Sequence, residues 1–285
     1  MNLHRIVSRN DDPVEGEGGV GDPHETAGAR YFKLKLGGDP DADAARLIRI
    51  GRELDRLPVV DGVTLDANEQ YADLAALAAL CGRLDRDPEL GGIARRLLYV
   101  EQPMPRERTM QTPLGELAAR DFIVDEADDG YDSFPAARRL GYRGVSLKSC
   151  KGIYKALLNA ARAARAEAAG ERCFVTAEDL TCQAGLAVQQ DLALGAFVGV
   201  THAERNGHHY VDGFTAAPAA EAQAFRAVHP DLYAGDGGAI RLAINDGALA
   251  TGSLVVPGFA AAAQPDWASL PPLHLPTPRL IKEHA

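Results

Sequence analysis

The chain has 285 residues, of which 46% are hydrophobic and 25% charged, with a formal net charge of −10 at pH 7. That balance lacks the basic stripe nucleic acid needs, and no apolar run approaches the roughly 18 residues of a membrane span. No apolar stretch follows Arg5 and Arg9 to make a secretory signal, so a cytoplasmic protein with neither nucleic-acid nor membrane partners is expected.

Residues 1–30 read as an irregular N-terminal segment, because Asn10 to Gly28 is rich in Gly, Asp, Glu and Pro and shows no apolar period. From Tyr31 the pattern becomes regular. Short apolar runs end in polar residues: YFKLKL (31–36), VTLDAN (63–68), LLYVEQP (97–103), FIVDEAD (122–128), GVSLK (144–148), CFVTAED (173–179) and VGVTHAE (198–204). Helices are expected between them at Asp41–Leu57, Ala72–Leu84, Ile153–Ala169 and Gln183–Leu194; DPDAD (39–43) supplies acids suited to the first N-terminus. Seven such strands alternating with helices predict repeated βα units and a parallel sheet. A barrel over 31–225 suits that number better than an open dinucleotide-binding sheet, since Gly37–Gly38 does not supply G-x-G-x-x-G. The expected fold class is therefore α/β: a (β/α)8 TIM-like barrel, in the form (β/α)7β and incomplete at its N-terminus. Residues 226–285 read as a β-hairpin, 239–246 and 248–256 around Gly247, followed by a Pro-rich tail. Cys81, Cys150, Cys173 and Cys182 form no C-x-x-C pair and read as buried, reduced thiols.

Active sites of such barrels sit at the C-terminal ends of the strands. Those ends present Lys33 and Lys35, Asp66, Glu101, Asp125, Lys148, Glu178 or Asp179, and Glu204. Ionisable residues that repeatedly finish apolar strands are costly unless paired or ligated. Carboxylates on consecutive strands are hard oxygen donors suited to Mg²⁺, and a desolvated lysine near a cation has the lowered pKa a general base requires.

YFKLKLG resembles the K-x-K segment ending the second barrel strand of the enolase superfamily. LDAN, VEQP and VDEA resemble the metal-ligand strands of its mandelate racemase and muconate lactonizing enzyme branch, and GVSLKSCKG its sixth-strand segment. The resemblance implies Asp66, Glu101 and Asp125 as Mg²⁺ ligands. It implies Lys35 as the base on one face of a small carboxylate substrate, Lys33 as its helper, and Lys148 as acid or base on the other face. Lys151 is a rival to Lys148, which is preferred because it ends the apolar run. Asn68 and Glu126 are implied to support the ligands, and Glu204 to contact substrate or ligands. Either Glu178 or Asp179 reaches the site, with Asp179 the candidate carried forward, and His208, beside His209, is a candidate substrate contact. TAEDL (176–180) lacks the histidine of the racemase type, so lysines on both faces favour the muconate lactonizing or dipeptide epimerase type.

The activity implied is a Mg²⁺-dependent isomerase or lyase that abstracts an α-proton, most simply an epimerase or racemase. An acid-sugar dehydratase and a truncated, non-catalytic member are the alternatives. Relatives of this type carry an N-terminal capping domain that the thirty residues before Tyr31 do not supply, so a truncated or differently capped form is expected, and the resemblance also suggests a homo-oligomer.

Overall fold

The computed structural model describes residues 2–7, 28–179, 184–205, 213–235 and 240–270; the side chains of 2–7, Asp179 and Arg205 are outside the described set. Cys182, His208 and His209 also lie outside the described residues.

Eight parallel strands close into a barrel in sequence order. They are β1 (Asn2–Val7), β2 (Tyr31–Lys35), β3 (Gly62–Asp66), β4 (Leu97–Glu101), β5 (Phe122–Val124), β6 (Gly144–Leu147), β7 (Phe174–Asp179) and β8 (His202–Arg205). The barrel fold expected from the repeat is present. Its first strand, however, comes from the segment read as irregular: β1 pairs with both β2 and β8 and closes the ring. NLHRIV is too short and too mixed in polarity to announce itself; only its two neighbours make it a strand.

Helices α1 (Pro40–Leu54), α2 (Leu74–Arg86), α3 (Gly91–Arg96), α4 (Arg106–Thr109), α5 (Ser133–Arg139), α6 (Ile153–Ala168), α7 (Leu186–Phe197) and α8 (Ala219–Val228) complete the chain with β9 (Tyr233–Ala234) and β10 (Arg241–Leu242). The four expected helices are observed with their ends moved by a few residues. Helix α1 starts where Asp39 accepts from the amides of Asp41 and Ala42, with Pro40 in its first turn, a position where proline loses no hydrogen bond. Its Asp43 accepts from the Gly37 and Gly38 amides and from Tyr71 Oη, tying the loops after β2 and β3 together. Among the described residues no helix is long and apolar enough to cross a membrane.

The main core lies between strands and helices and includes Phe32, Leu34, Leu47, Ile50, Leu65, Leu80, Val100, Phe134 and Val145. A second cluster joins α7 and α8 to the C-terminal segment through Val188, Leu192, Phe214, Phe225, Tyr233, Ile240, Leu249 and Leu254. The C-terminal hairpin is shorter than its sequence suggests. Asn245 and Ala248 exchange both backbone bonds around Asp246–Gly247, β10 pairs with β9, and Gly252–Leu254 is helical. Cys81 and Cys173 are buried thiols, but Cys150 is exposed, because it sits in the turn after β6 rather than in the strand.

The hairpin turn docks on the chain entering β2. Gly247 has φ of 71°, and a Cβ there would lie 2.5 Å from the Gly28 carbonyl oxygen and 2.7 Å from Ala29 Cα. Gly247→Ala therefore meets both an unfavourable backbone conformation and rigid main chain. A loss of about 1–3 kcal/mol is expected, read as a lower midpoint in thermal unfolding; an unchanged midpoint would show that this docking contributes nothing.

Candidate active site

The site is built by strand alternation. On six strands a buried or half-buried residue is followed two positions later by an ionisable one on the same face: Lys33–Lys35, Thr64–Asp66, Tyr99–Glu101, Ser146–Lys148, Thr176–Glu178 and His202–Glu204. Strand pairing aligns these positions into layers, with Lys35 opposite Asp66, Asp66 opposite Glu101, and Glu178 opposite Glu204. Beside Glu101, β5 places Ile123, and Asp125 follows two residues later. Among the described residues, five carboxylates and four lysines thus gather in one cluster at the C-terminal end of the barrel.

Lys33 lies at the centre and is only 1% exposed. Its Nζ is 2.9 Å from Asp66 Oδ2, 2.9 Å from Glu101 Oε2 and 3.4 Å from Glu178 Oε2, and it also pairs closely with Glu204. Lys35 is 2.5 Å from Asp66 Oδ2 and 3.8 Å from Glu204 Oε1. Across the barrel, Lys148 is 2.9 Å from Asp125 Oδ2 and pairs closely with Glu178. Lys151 donates to Asp125 Oδ1 at 2.5 Å, to the Asp125 carbonyl at 2.7 Å and to the Ser146 carbonyl at 3.2 Å.

The supporting contacts explain how these side chains are aimed. Gln102, at a left-handed φ of 34°, directs its amide between strand ends. Its Oε1 accepts from the Asp125 and Ala127 amides, and its Nε2 donates to the Met104 carbonyl and Thr109 Oγ1. Asn68 donates its backbone amide to Asp66 Oδ1 at 2.9 Å and its side-chain amide to Glu126 Oε1 at 3.2 Å. Asp191 of α7 accepts from the Ser149 amide at 2.6 Å and so holds the turn that carries Lys148 and Lys151. Arg46 of α1 donates to the Lys35 carbonyl at 2.7 Å.

Burial and charge act against each other throughout the cluster. Desolvation opposes the charged forms of Lys33 and Lys148, but the surrounding carboxylates outweigh it and hold both pKa values above the ordinary lysine range. Lys35 is raised less simply, because burial and the neighbouring Lys33 both oppose its charge before Glu204 and Asp66 restore it. Burial would raise Asp66 and Asp125, yet Lys33 with Lys35, and Lys151 with Lys148, keep them ionised below the usual range. Glu101 is pushed up, first by desolvation and then by Asp66, Glu178 and Asp125, against Lys33. Glu204, desolvated and beside Glu178, is pushed up to about 8.

Of the residues singled out in the sequence, Lys33, Lys35, Asp66, Glu101, Asp125, Lys148 and Glu204 converge in one ion-pair cluster, Lys148 and Asp125 joining it through Glu178. Asn68 and Glu126 bond to each other beside it. On β7 it is Glu178 that enters the cluster; the side chain of Asp179 is outside the described residues, as is His208. Lys151, passed over in favour of Lys148, reaches the same carboxylate. Gln102 and Asp191 carried no sequence signal, since each acts through backbone amides of another element. Glu178 did carry one: Thr176 stands two residues before it, the same spacing as Thr64 before Asp66.

The donor chemistry fits a hard divalent cation. Two triads of ligand oxygens, Asp66–Glu101–Glu204 and Glu101–Asp125–Glu178, each fall within 4.8 Å and share Glu101. Among the described residues Glu101 Oε1 and Glu204 Oε1 are buried without a hydrogen-bond partner, an arrangement that is costly unless something else supplies the positive end.

No protein-family model matches the sequence, and no curated protein is similar to it in sequence. Solved structures are similar in fold. A dipeptide epimerase from Methylococcus capsulatus complexed with Mg and the dipeptide L-Arg-D-Lys superposes with a TM-score of 0.56 at 22% identity, covering 85% of this chain and 61% of that one. A mandelate racemase/muconate lactonizing protein from Herpetosiphon aurantiacus gives 0.52 at 19%, covering 85% and 62%. A dipeptide epimerase from Cytophaga hutchinsonii complexed with Mg and D-Ala-L-Val gives 0.50 at 18%, covering 72% and 52%. The chain therefore spans a little over half the length of these structures. Its closed ring of strands, with ionisable residues at their C-terminal ends, has the same barrel fold as these solved structures.

Proposed function

We propose that the chain is the catalytic barrel of a Mg²⁺-dependent isomerase, of epimerase or racemase type, that removes and returns the α-proton of a small carboxylate substrate. The observation that carries this reading is the placement of lysines on opposite walls. Lys33 and Lys35 stand on β2 and Lys148 and Lys151 just after β6, four strands away around an eight-stranded ring, with the carboxylates of β3, β4 and β5 between them. Opposed bases serve inversion at carbon directly: one takes the proton from one face and the other delivers a proton to the opposite face.

Asp66, Glu101 and Asp125, at the ends of adjacent strands, are the residues that would hold Mg²⁺; the two aspartates meet only through Glu101, which groups with Asp66 and Glu204 on one side and with Asp125 and Glu178 on the other. Bound there, Mg²⁺ would offset the negative charge that builds on the substrate carboxylate as the α-proton leaves. Lys33, Lys35 and Lys148 are held protonated by the very carboxylates a cation would engage. Loss of those partners is what would bring Lys35 or Lys148 down toward a base able to work near neutrality. Lys33, deepest and most fully paired, is suited to stay charged and to steady the substrate carboxylate.

A second reading, β-elimination of the dehydratase type, is favoured by Glu204. A carboxyl that keeps its proton to about pH 8 is able to protonate a departing hydroxyl. Product analysis separates the two, because elimination yields a keto acid and epimerisation an isomer.

The direct test is α-proton exchange in D₂O over a panel of N-acyl amino acids, dipeptides and acid sugars, with Mg²⁺. Lys35→Ala and Lys148→Ala are each expected to lose at least ~10²-fold in exchange, with the fold intact by circular dichroism; full activity in either would sink the assignment. Thermal unfolding in EDTA and then across a Mg²⁺ titration is expected to show stabilisation of about 2.7 kcal/mol at a hundredfold excess over Kd. Glu101→Gln should abolish that response.

The pH dependence has a definite sign. Glu204 has a folded pKa above its unfolded value, so the folded state binds the extra proton. Its contribution is unpenalised below the ordinary glutamate pKa and becomes destabilising as pH rises toward about 8. In EDTA, Glu204→Gln is expected to remove a decline in stability on the order of a few kcal/mol between about pH 5 and pH 8; parallel wild-type and variant profiles would contradict this.

A further inference from the structure

One face of α6, with the turn before it, reaches across to the loop between β5 and α5. It grips that loop by its carbonyl oxygens at regular intervals. Lys151 donates to the carbonyl of Asp125, Lys155 to that of Asp128, and Arg162 to that of Tyr131 at 2.5 Å. The acceptors are three residues apart, and the donors fall on one side of the helix. Between them Lys155 also pairs with Asp128 Oδ2 at 3.0 Å, and Asn159 donates to Asp128 Oδ1 at 3.3 Å while accepting from Arg162 at 3.1 Å. The loop closes on itself where the Asp128 amide donates to the Asp125 carbonyl at 3.0 Å.

Lys155, Asp128 and Asn159 are all buried, with relative exposures of 5%, 2% and 0%. A buried ion pair of this kind is a weak source of stability, since apolar side chains of similar volume do as well or better. What it does supply is a directional link from a long, rigid helix to a short loop. That loop begins with Asp125 and Glu126, so whatever fixes its backbone also fixes where those carboxylates point.

We propose that Lys155, with Asp128 and Asn159, is a positioning set that locks the 125–131 loop onto α6 and thereby sets the cation affinity of the site without touching cation or substrate. The inference rests on the proposed role of Asp125 as a ligand. It makes α6 the common support for both halves of one wall: the turn before it carries Lys148 and Lys151, and its first three turns hold the loop bearing Asp125.

The test uses the whole chain and the double variant Lys155→Met with Asp128→Asn, which removes both buried charges together, so neither is left unpaired. Thermal unfolding is followed in EDTA and across a Mg²⁺ titration. The variant is expected to melt cooperatively in EDTA, while the Mg²⁺ concentration at which its Tm begins to rise moves up roughly 10- to 100-fold. A purely structural role would lower Tm equally with and without Mg²⁺ and leave that concentration unchanged, and this result overturns the proposal. Should the double variant lose its cooperative transition, Arg162→Met, which frees only the Tyr131 end of the loop, decides: a raised Mg²⁺ requirement is expected, and an unchanged one overturns the proposal. Failure of the underlying metal reading is distinguishable, because then the wild-type chain itself shows no Mg²⁺ response, and both readings fall.

Discussion

The burial of a nearly balanced set of charges at one end of the barrel is the constraint on which the rest depends. Lys33 sits among four carboxylates with almost no access to water, an arrangement whose desolvation cost is repaid only by close, well-directed partners. Each neighbouring feature serves that demand. Strand pairing lines up Lys35, Asp66 and Glu101; Gln102 accepts strained backbone geometry to hold the Asp125 amide; Asp191 and α6 fix the turn and loop that bring Lys148, Lys151 and Asp125 to the opposite wall.

The same balance explains why the charges are so evenly divided. Carboxylates alone would repel one another and take up protons, as Glu101 and Glu204 already tend to do. Lysines alone would lose theirs. Interleaving them keeps the lysines Lys33, Lys35 and Lys148, and the carboxylates Asp66, Asp125 and Glu178, in their charged forms despite burial. A site built this way holds its geometry before any ligand arrives, which is the condition for electrostatic preorganisation.

The C-terminal segment meets a different demand. A hairpin beyond a finished barrel must bury its apolar side somewhere, and here it does so twice. Leu242, Leu249 and Leu254 join the cluster over α7 and α8, and Gly247 seats its turn on Gly28 and Ala29 at the entrance to β2. This places the hairpin turn against the chain that leads into the strand carrying Lys33 and Lys35, so the segment contributes to the support of the barrel.

Much of the fold and most of the charged cluster were legible in the sequence, because both rest on local periodicity. Apolar runs that recur with helices between them determine parallel βα units, and alternation within each run determines which residues share a face, so Asp66, Glu101 and Lys148 could be picked out from their positions alone. Alternation carried the choice of Glu178 as well, through Thr176, although that signal is easily lost in a run as short as TAED. What only the tertiary structure decided depends on distance between segments far apart in the chain. Strand β1 exists because β2 and β8 are both there to pair with it; Lys151 reaches Asp125 because a helix on one unit leans over the loop of another; Gln102 and Asp191 matter only for the amides they meet. Periodicity is written in the chain one neighbour at a time, whereas closure of a ring and the reach of a long side chain are set by where the remote partner lies.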